Sequence, residues 1–150
     1  MEGFEEADYR ALDEFRRQIR RFLRFSEDKA KEHGLEAQQH QLLLTIKALP
    51  EGSKATIGEV ANRLLIRHHS AVELADRLEH RGAIRRTHSD EDRREVILEL
   101  TAEGDQLLAR LSHAHRSELE TSGPALAKSL LSVIRKQKRI RHGKGVLLEN

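Results

Sequence analysis

Cysteine is absent from this sequence, and aromatic residues are scarce. The 150 residues include no cysteine, no tryptophan, one tyrosine and four phenylalanines. Without cysteine the chain cannot form disulfides or zinc–thiolate centres, and it cannot sense oxidants through a thiol. No apolar run approaches membrane-spanning length, and the acidic N-terminal segment MEGFEEADYR lacks the apolar core of a signal peptide. We therefore expect a soluble cytoplasmic protein with no membrane partner.

An excess of positive charge is also missing from most of the chain. The net charge is +2, but residues 135–150 contain six Lys or Arg and one acidic residue, so the preceding 134 residues carry a net charge of −3. An argument for nucleic-acid binding therefore has to rest on individual arginines rather than on overall charge. Residues 135–150 combine poor apolar periodicity with high charge, and we expect them to form a mobile basic tail.

Apolar residues recur at intervals of three and four over most of the chain, which predicts amphipathic helices. The first helix is expected to end at Gly34, and the second at the turn of residues 50–53. Thr101 is expected to cap a later helix, and Ser122-Gly123-Pro124 to break it, with Pro124 beginning a last helix. In so charged a chain we expect these helices to bury apolar surface against a second copy. The apolar stripe of the first helix comprises Tyr9, Leu12, Phe15, Ile19, Phe22 and Phe25.

The middle of the chain changes pattern. Thr56 and Glu59 have the spacing of a capping box, which predicts the start of a short helix, and a further helix follows and ends at Gly82. Between residues 84 and 100 the apolar period becomes two on both sides of a charged segment, which predicts a two-stranded hairpin. We therefore expect a mainly α fold with a small β-wing, that is, a winged helix-turn-helix with flanking dimerisation helices.

The second helix of the predicted helix-turn-helix has a polar outer face. In this motif the second helix lies in the major groove, where its N-terminal residues contact bases. Arginine can donate two hydrogen bonds to guanine, serine can contact bases or phosphates, and histidine can donate to either. These residue types predict double-stranded DNA as the partner. The candidate DNA-binding residues on this face are Arg67, His68, His69, Ser70, Glu73 and Arg77.

The predicted hairpin tip carries two adjacent arginines, Arg93 and Arg94. A guanidinium on a narrow protrusion suits the minor groove, where negative potential is concentrated. The same tip carries Asp90 and Asp92, so an arginine–aspartate pair that orders the loop is the alternative interpretation. Both interpretations hold together if one arginine braces the wing and the other contacts DNA.

The stretch from Thr56 to Gly104 resembles the multiple antibiotic resistance regulator (MarR) family. The segment GEVANRLLIRHHSAVELADRLEHRGAIRR is similar to that family's helix-turn-helix, and DEDRREVILELTAEG is similar to its wing and the start of the next helix. The resemblance implies a homodimer on a pseudo-palindromic operator, with a recognition helix from about Arg67 to Arg81. It also implies that Arg94 is the leading minor-groove residue and that Asp92 orients it.

Three positions depart from the family pattern. Ile57 stands where a helix-starting proline is frequent, Leu65 replaces a small or turn-forming residue, and Arg67 stands where a serine cap is usual.

We expect residues 1–50 and 101–134 to build the dimer, and residues 54–100 to form the DNA-binding lobe. The residues expected in the dimer contact are Leu12, Phe15, Ile19, Leu126, Leu130 and Ile134.

A small-molecule effector is a further expectation, because regulators of this family often bind one between the dimerisation helices and the DNA-binding lobe. Phe15, Phe22 and His40 are the candidate contacts, although aromatic residues on one helical stripe are more often packing. The function expected is that of a ligand-responsive repressor in a bacterial or archaeal cytoplasm, associated with the nucleoid when bound to DNA.

Other classes of function find less support in the sequence. His113 and His115 are two residues apart and point to different sides of a helix, so we expect no metal and no cofactor. A metal-responsive regulator of the same fold and a helical interaction module without DNA binding remain the alternatives. No nucleophile–base pattern, phosphate-binding glycine loop or His-Glu-x-x-His helix is present, so we do not expect an enzyme.

Overall fold

The computed structural model describes the backbone of residues 3–143 and the side chains of residues 3–134. In this range the chain forms five helices and one antiparallel pair of strands, which agrees with the predicted mainly α fold and small β-wing. The elements are α1 (Glu6–Glu32), α2 (Ala37–Ala48), α3 (Ile57–Leu64), α4 (His68–His80), β1 (Ile84–His88), β2 (Val96–Leu100) and α5 (Ala102–Gly143).

The chain divides into two compact units. One unit comprises the first 26 residues and the residues from His115 onward, and the other comprises Glu27–Ala114. The second unit, here called the central unit, contains the helix-turn-helix and the hairpin. It is wider than the predicted lobe of residues 54–100, because the end of α1, helix α2 and the start of α5 pack into it. The assignment of residues 1–50 and 101–134 to a dimer stays a prediction.

The core of the central unit is aliphatic. Burial of one such side chain contributes about 1.5–3 kcal/mol, and α2, α3, α4, the hairpin and α5 all supply residues to it. This common core fixes the helix-turn-helix against the hairpin. The largest fully buried side chains are Leu42, Leu43, Val60, Leu78, Ile84, Leu98 and Leu111.

The predicted two-stranded hairpin is present. Ile84 pairs with Leu100, Arg86 with Leu98 and His88 with Val96. The backbone N–H of Leu98 also donates to the carbonyl of Ala55, at 2.9 Å, so the segment that precedes α3 lies along the outer edge of β2.

The start of α5 is joined tightly to the end of the recognition region. Thr101 caps α5 as predicted, because its Oγ1 accepts the N–H of Gly104 at 3.1 Å and donates to the carbonyl of Gly82 at 2.6 Å. Gly82 has a φ of +83°, which fits the helix stop expected there. A Cβ at Gly104 would collide with the carbonyl oxygen of Ala83, so this position requires glycine.

The break predicted at Ser122-Gly123-Pro124 is wrong, because Pro124 lies inside the single helix α5. Proline removes one backbone donor, but strong helix formers and apolar residues continue on both sides of it. The hydroxyl of Ser122 donates to the carbonyl of Glu118 at 3.0 Å, within the turn that precedes the proline. A helical pattern of this length therefore outweighs the local cost of one proline.

The predicted basic tail of residues 135–150 lies mostly outside the described residues. The backbone of α5 continues to Gly143, whereas the side chains beyond Ile134 and all of residues 144–150 are not described. The mobility expected of this tail stays a prediction.

Candidate nucleic-acid interface

Helix α3 begins at the cap that the sequence predicts. Thr56 Oγ1 accepts the backbone N–H of Glu59 at 3.2 Å. The reciprocal half of the capping box is not formed: the N–H of Thr56 donates to the carbonyl of Lys54 at 2.9 Å, and the Glu59 carboxylate pairs with Arg63 Nε at 2.7 Å. One hydroxyl cap is therefore sufficient to start this short helix.

The turn between α3 and α4 contains an unusual leucine. Leu65 has a φ of 55° and a ψ of 40°, in the left-handed region, and it is 91% exposed. An L-residue in this conformation costs about 1–2 kcal/mol relative to the right-handed one, a cost that glycine avoids. The departure from a turn-forming residue at this position therefore has a structural cost that no burial of the side chain offsets.

Helix α4 is the expected recognition helix. It spans His68–His80 with Arg67 as its N-cap and Arg81 as its C-cap, so the predicted extent from about Arg67 to Arg81 is confirmed. Arg67 lacks the side-chain hydrogen bond that a serine cap would supply. The Arg67 guanidinium is therefore not engaged in capping the helix.

The N-terminal end of α4 exposes its cationic and polar side chains. Arg67, His68 and His69 are exposed, and Ser70 is half-buried. Among residues 3–134, whose side chains are described, no ion pair or side-chain hydrogen bond engages these four. Glu73 is exposed one turn further along the helix. The positive end of the helix dipole is at this same terminus, where it attracts phosphate.

The arginines at the other end of α4 are engaged within the protein. Arg77 Nη1 lies 3.1 Å from Glu36 Oε2, and Arg81 donates 2.6 Å hydrogen bonds to the carbonyls of His33 and Gly34. Arg77 therefore differs from the residues of the first turn, although it was expected on the same DNA-binding face. Its contact with DNA stays a prediction that requires competition with Glu36.

The neighbouring Arg86 of β1 has a similar internal role. Its guanidinium contacts Glu79 Oε1 at 2.7 Å and also pairs with Asp76. Hydrogen bonds to these two carboxylates raise the pKa of Arg86, although burial acts most strongly and in the opposite direction. This ion-pair cluster fastens the hairpin to the C-terminal half of α4.

The hairpin tip is a hydrogen-bonded loop. The N–H of Arg94 donates to Asp92 Oδ1 at 2.9 Å, the N–H of Glu95 donates to the Asp92 carbonyl at 2.9 Å, and the N–H of Ser89 donates to the Glu95 carbonyl at 3.0 Å. Asp92 thus contacts Arg94 through the backbone. Its proposed role in orienting the Arg94 side chain on DNA stays a prediction.

The Arg93 and Arg94 guanidiniums are both exposed at this tip. The alternative in which one of them pairs with Asp90 or Asp92 is not found: within the side chains of residues 3–134, neither guanidinium has an ion pair. Asp90 is exposed beside Arg93, where both line a shallow depression with His88 and Ser89. Asp90 does not brace the loop through any side-chain bond to the described residues.

The side chain that braces the wing is Lys54, which the sequence analysis did not identify. Its Nζ donates to Glu91 Oε2 at 3.0 Å, to Glu95 Oε2 at 3.2 Å and to Ser89 Oγ at 3.2 Å. Hydrogen bonds to Glu91 and then Glu95 raise the pKa of Lys54 above its usual range. The available signal was the excess of four carboxylates over two arginines in the tip, but no local pattern connects that loop with residue 54.

The candidate effector residues fall in different parts of the chain. In the unit formed by the chain's two ends, Phe22 and Phe25 approach the His115 ring edge-on, and His115 Nε2 lies 2.8 Å from Ser26 Oγ. Phe15 is half-buried on α1, and His40 is buried in α2 within the central unit. Effector binding by Phe15, Phe22 and His40 stays a prediction.

No group of three histidine or acidic side chains among the described residues is placed to hold a metal ion. In the same part of the chain, no helix is both long enough and apolar enough to cross a membrane.

Comparisons with known proteins agree with this geometry. The sequence model of the MarR family (MarR_2) matches residues 33–95. The HTH-type transcriptional repressor MdtR of Bacillus subtilis (strain 168) is 36% identical over 63 residues, which are 42% of this chain and 41% of MdtR. The matched stretch therefore spans less than half the length of that relative.

Solved structures share the fold. AbsC, a MarR family transcriptional regulator from Streptomyces coelicolor, superposes with a TM-score of 0.72 at 18% identity, covering 97% of this chain and 99% of AbsC. A mutant MarR from E. coli, complexed with operator DNA, superposes with a TM-score of 0.64 at 17% identity, covering 83% of this chain and 89% of MarR. Residues 33–95 are thus similar in sequence to the MarR family, and the described residues share the winged helix-turn-helix fold of these structures.

Proposed function

We propose that this chain is a transcriptional regulator, rather than an enzyme, and that it binds double-stranded DNA as a homodimer. Each protomer places the N-terminal end of α4 in the major groove and the hairpin tip in the adjacent minor groove. The two α4 helices of the dimer lie about one helical turn of DNA apart on a pseudo-palindromic operator. The protein acts in the cytoplasm, on the nucleoid when bound, as a ligand-responsive repressor.

The observation that carries this proposal is the distribution of paired and unpaired cations in the central unit. Arg77, Arg81 and Arg86 are engaged by carboxylates or carbonyls. The cations at the start of α4 and at the hairpin tip are exposed instead, with no such partner among the described side chains. Cations that the fold leaves without a carboxylate partner at the start of α4 and at the hairpin tip suit a polyanion such as duplex DNA.

The relatives support the same interpretation. MdtR is named a transcriptional repressor, and the MarR structure from E. coli contains operator DNA. The matched segment of this chain contains α3, α4 and most of the hairpin, which are the elements that present the unpaired cations.

Exposed apolar side chains support the homodimer. Leu130 and Ile134 of α5, both expected in the dimer contact, are 40% and 44% exposed. Leu131 and Leu119 of the same helix and Tyr9 of α1 are also exposed. Apolar residues repeated along helices in this way are usually covered by another chain.

Selection of bound sequences from random duplex DNA tests the proposal, with the purified full chain as bait. We expect an inverted repeat with half-site centres about 10–10.5 base pairs apart. Sedimentation at micromolar concentration should give the mass of a dimer. A library that stays unenriched at low salt would reject DNA recognition and favour a helical interaction module.

A further inference from the structure

The environment of Lys54 is unusual for a surface lysine. An ammonium group has three N–H donors, and Lys54 Nζ lies within 3.2 Å of three acceptors, all from the segment Ser89–Glu95. The backbone next to Lys54 is fixed as well, because the carbonyl of the neighbouring Ala55 accepts the N–H of Leu98 on β2. Lys54 is therefore attached to one edge of the hairpin and reaches to its tip.

This network determines where the acidic side chains of the wing are directed. The tip segment contains Asp90, Glu91, Asp92 and Glu95 beside Arg93 and Arg94. Glu91 and Glu95 bind Lys54, and Asp92 accepts a backbone N–H. Two of the four carboxylates are thus neutralised by a cation outside the tip, and the two guanidiniums keep no carboxylate partner among the described side chains.

We propose that Lys54 is a positioning residue for DNA binding: it engages the carboxylates of Glu91 and Glu95 and thereby leaves Arg93 and Arg94 available to the DNA backbone. This inference rests on the proposed DNA-binding function. Without Lys54, the two glutamates are free to pair with the arginines or to repel phosphates, and the tip loses three hydrogen bonds. A single exposed ion pair contributes little, but one ammonium that joins three groups of a short loop limits the conformations of that loop.

The opposing interpretation is that Lys54 itself contacts a phosphate and that its bonds to the glutamates are incidental. The two interpretations predict opposite effects for the double variant Glu91→Gln/Glu95→Gln. That variant removes two negative charges from the wing and both ion pairs of Lys54. If Lys54 contacts a phosphate directly, the loss of negative charge strengthens DNA binding. If Lys54 positions the wing, the loss of its ion pairs weakens DNA binding.

The experiment measures the affinity of the full chain for its selected operator by fluorescence anisotropy at fixed salt. We expect both Lys54→Met and Glu91→Gln/Glu95→Gln to weaken binding, by about tenfold for network losses of this kind. The triple variant should bind no more weakly than Lys54→Met, because all three residues act through one network. Asp90→Asn is the matched control, since it removes a wing charge without touching Lys54, and it should bind as tightly as the unmodified chain or more tightly. Unchanged or tighter binding by the double glutamine variant would overturn the proposal.

A measurement without DNA separates this proposal from the proposed function. Trypsin cleaves after arginine, so cleavage at Arg93 and Arg94 reports the order of the wing tip directly. Lys54→Met and the double glutamine variant should both be cut there several-fold faster than the unmodified chain, while Asp90→Asn should not. If the unmodified chain binds no DNA but these cleavage rates differ as expected, the DNA-binding function fails and the structural role of Lys54 stands. Equal cleavage rates would reject that role whether or not the chain binds DNA.

Discussion

The guanidinium of Arg81 closes the carbonyl end of helix α1 at Gly34. Its Nη1 donates a 2.6 Å hydrogen bond to the Gly34 carbonyl, and its Nη2 donates another of 2.6 Å to His33. A Cβ at Gly34 would lie 2.9 Å from Arg81 Nη1, so the guanidinium would have to shift to accommodate it. Gly34 also has a φ of +72°, a conformation that favours glycine. This contact ties the end of α4 to the junction of α1 and α2.

Arg81→Ala should therefore destabilise the protein by about 1–2 kcal/mol, because two carbonyls lose a charged donor. Urea unfolding followed by circular dichroism measures the change. Arg67→Ala is the matched control, since Arg67 belongs to the same helix but lacks a side-chain cap bond. It should alter stability by less than about 0.5 kcal/mol and weaken DNA binding. A stable Arg81→Ala variant would show that the helix end does not need this cap.

Leu65→Gly should stabilise the protein by about 1 kcal/mol, because it removes the strain of the left-handed backbone and gives up almost no buried surface. The denaturation midpoint measures the gain. Leu64→Gly is the control, because it places glycine in the last turn of α3 and also removes a side chain packed against the core, so it should destabilise by more than about 1 kcal/mol. A loss of stability in Leu65→Gly would show that the exposed leucine packs against another part of the protein in solution.

Arg94→Ala should weaken operator binding and reduce the slope of log affinity against log salt by about 1, because one phosphate contact is lost. The dimer mass should not change. Arg85→Ala is the control on the same hairpin, since the guanidinium of Arg85 is paired with Glu99 at 3.0 Å. An identical salt slope before and after Arg94→Ala would remove this residue from the DNA contact.

Changes at His69 or Ser70 should alter sequence preference more than overall affinity. These residues lie in the first turn of α4, which the proposal places against base edges. The measurement compares the sequences selected by His69→Ala and Ser70→Ala with those selected by the unmodified chain. If affinity instead falls by the same factor on every sequence, both residues contact only the DNA backbone.

The Lys54 ammonium should titrate above its ordinary pKa of 10.5, because hydrogen bonds to Glu91 and Glu95 raise that pKa. A raised folded-state pKa means that the contribution of Lys54 to wing order is fully present below the ordinary value. It is lost as the pH rises through the raised one. The 13Cε shift of Lys54 against pH measures the titration. The Glu91→Gln/Glu95→Gln variant should lower the pKa of Lys54, and an unchanged midpoint would argue against the hydrogen bonds in solution.

The helix-turn-helix and the hairpin were predictable because their signals are local. Thr56, Gly82 and Thr101 mark helix ends through bonds to near neighbours, and the alternation on both sides of the tip sets the register of β1 and β2. Pro124 led to the wrong prediction of a helix break, because the energetic cost of one proline is local whereas the apolar periodicity of α5 extends over many residues. Lys54 and Arg81 were missed because their partners lie more than thirty residues away in sequence.

Helix α4 is held differently at its two ends. The ion pairs and hydrogen bonds of Arg77, Arg81 and the Asp76–Glu79–Arg86 cluster all fasten its C-terminal half. The N-terminal end, which the proposed function places in the major groove, is held mainly by buried apolar residues such as Ala71, Leu74 and Ala75. On the proposed function, mutations at the N-terminal end of α4 change which operators are recognised at little cost in folding free energy, so new regulatory targets would need no compensating changes elsewhere in the chain.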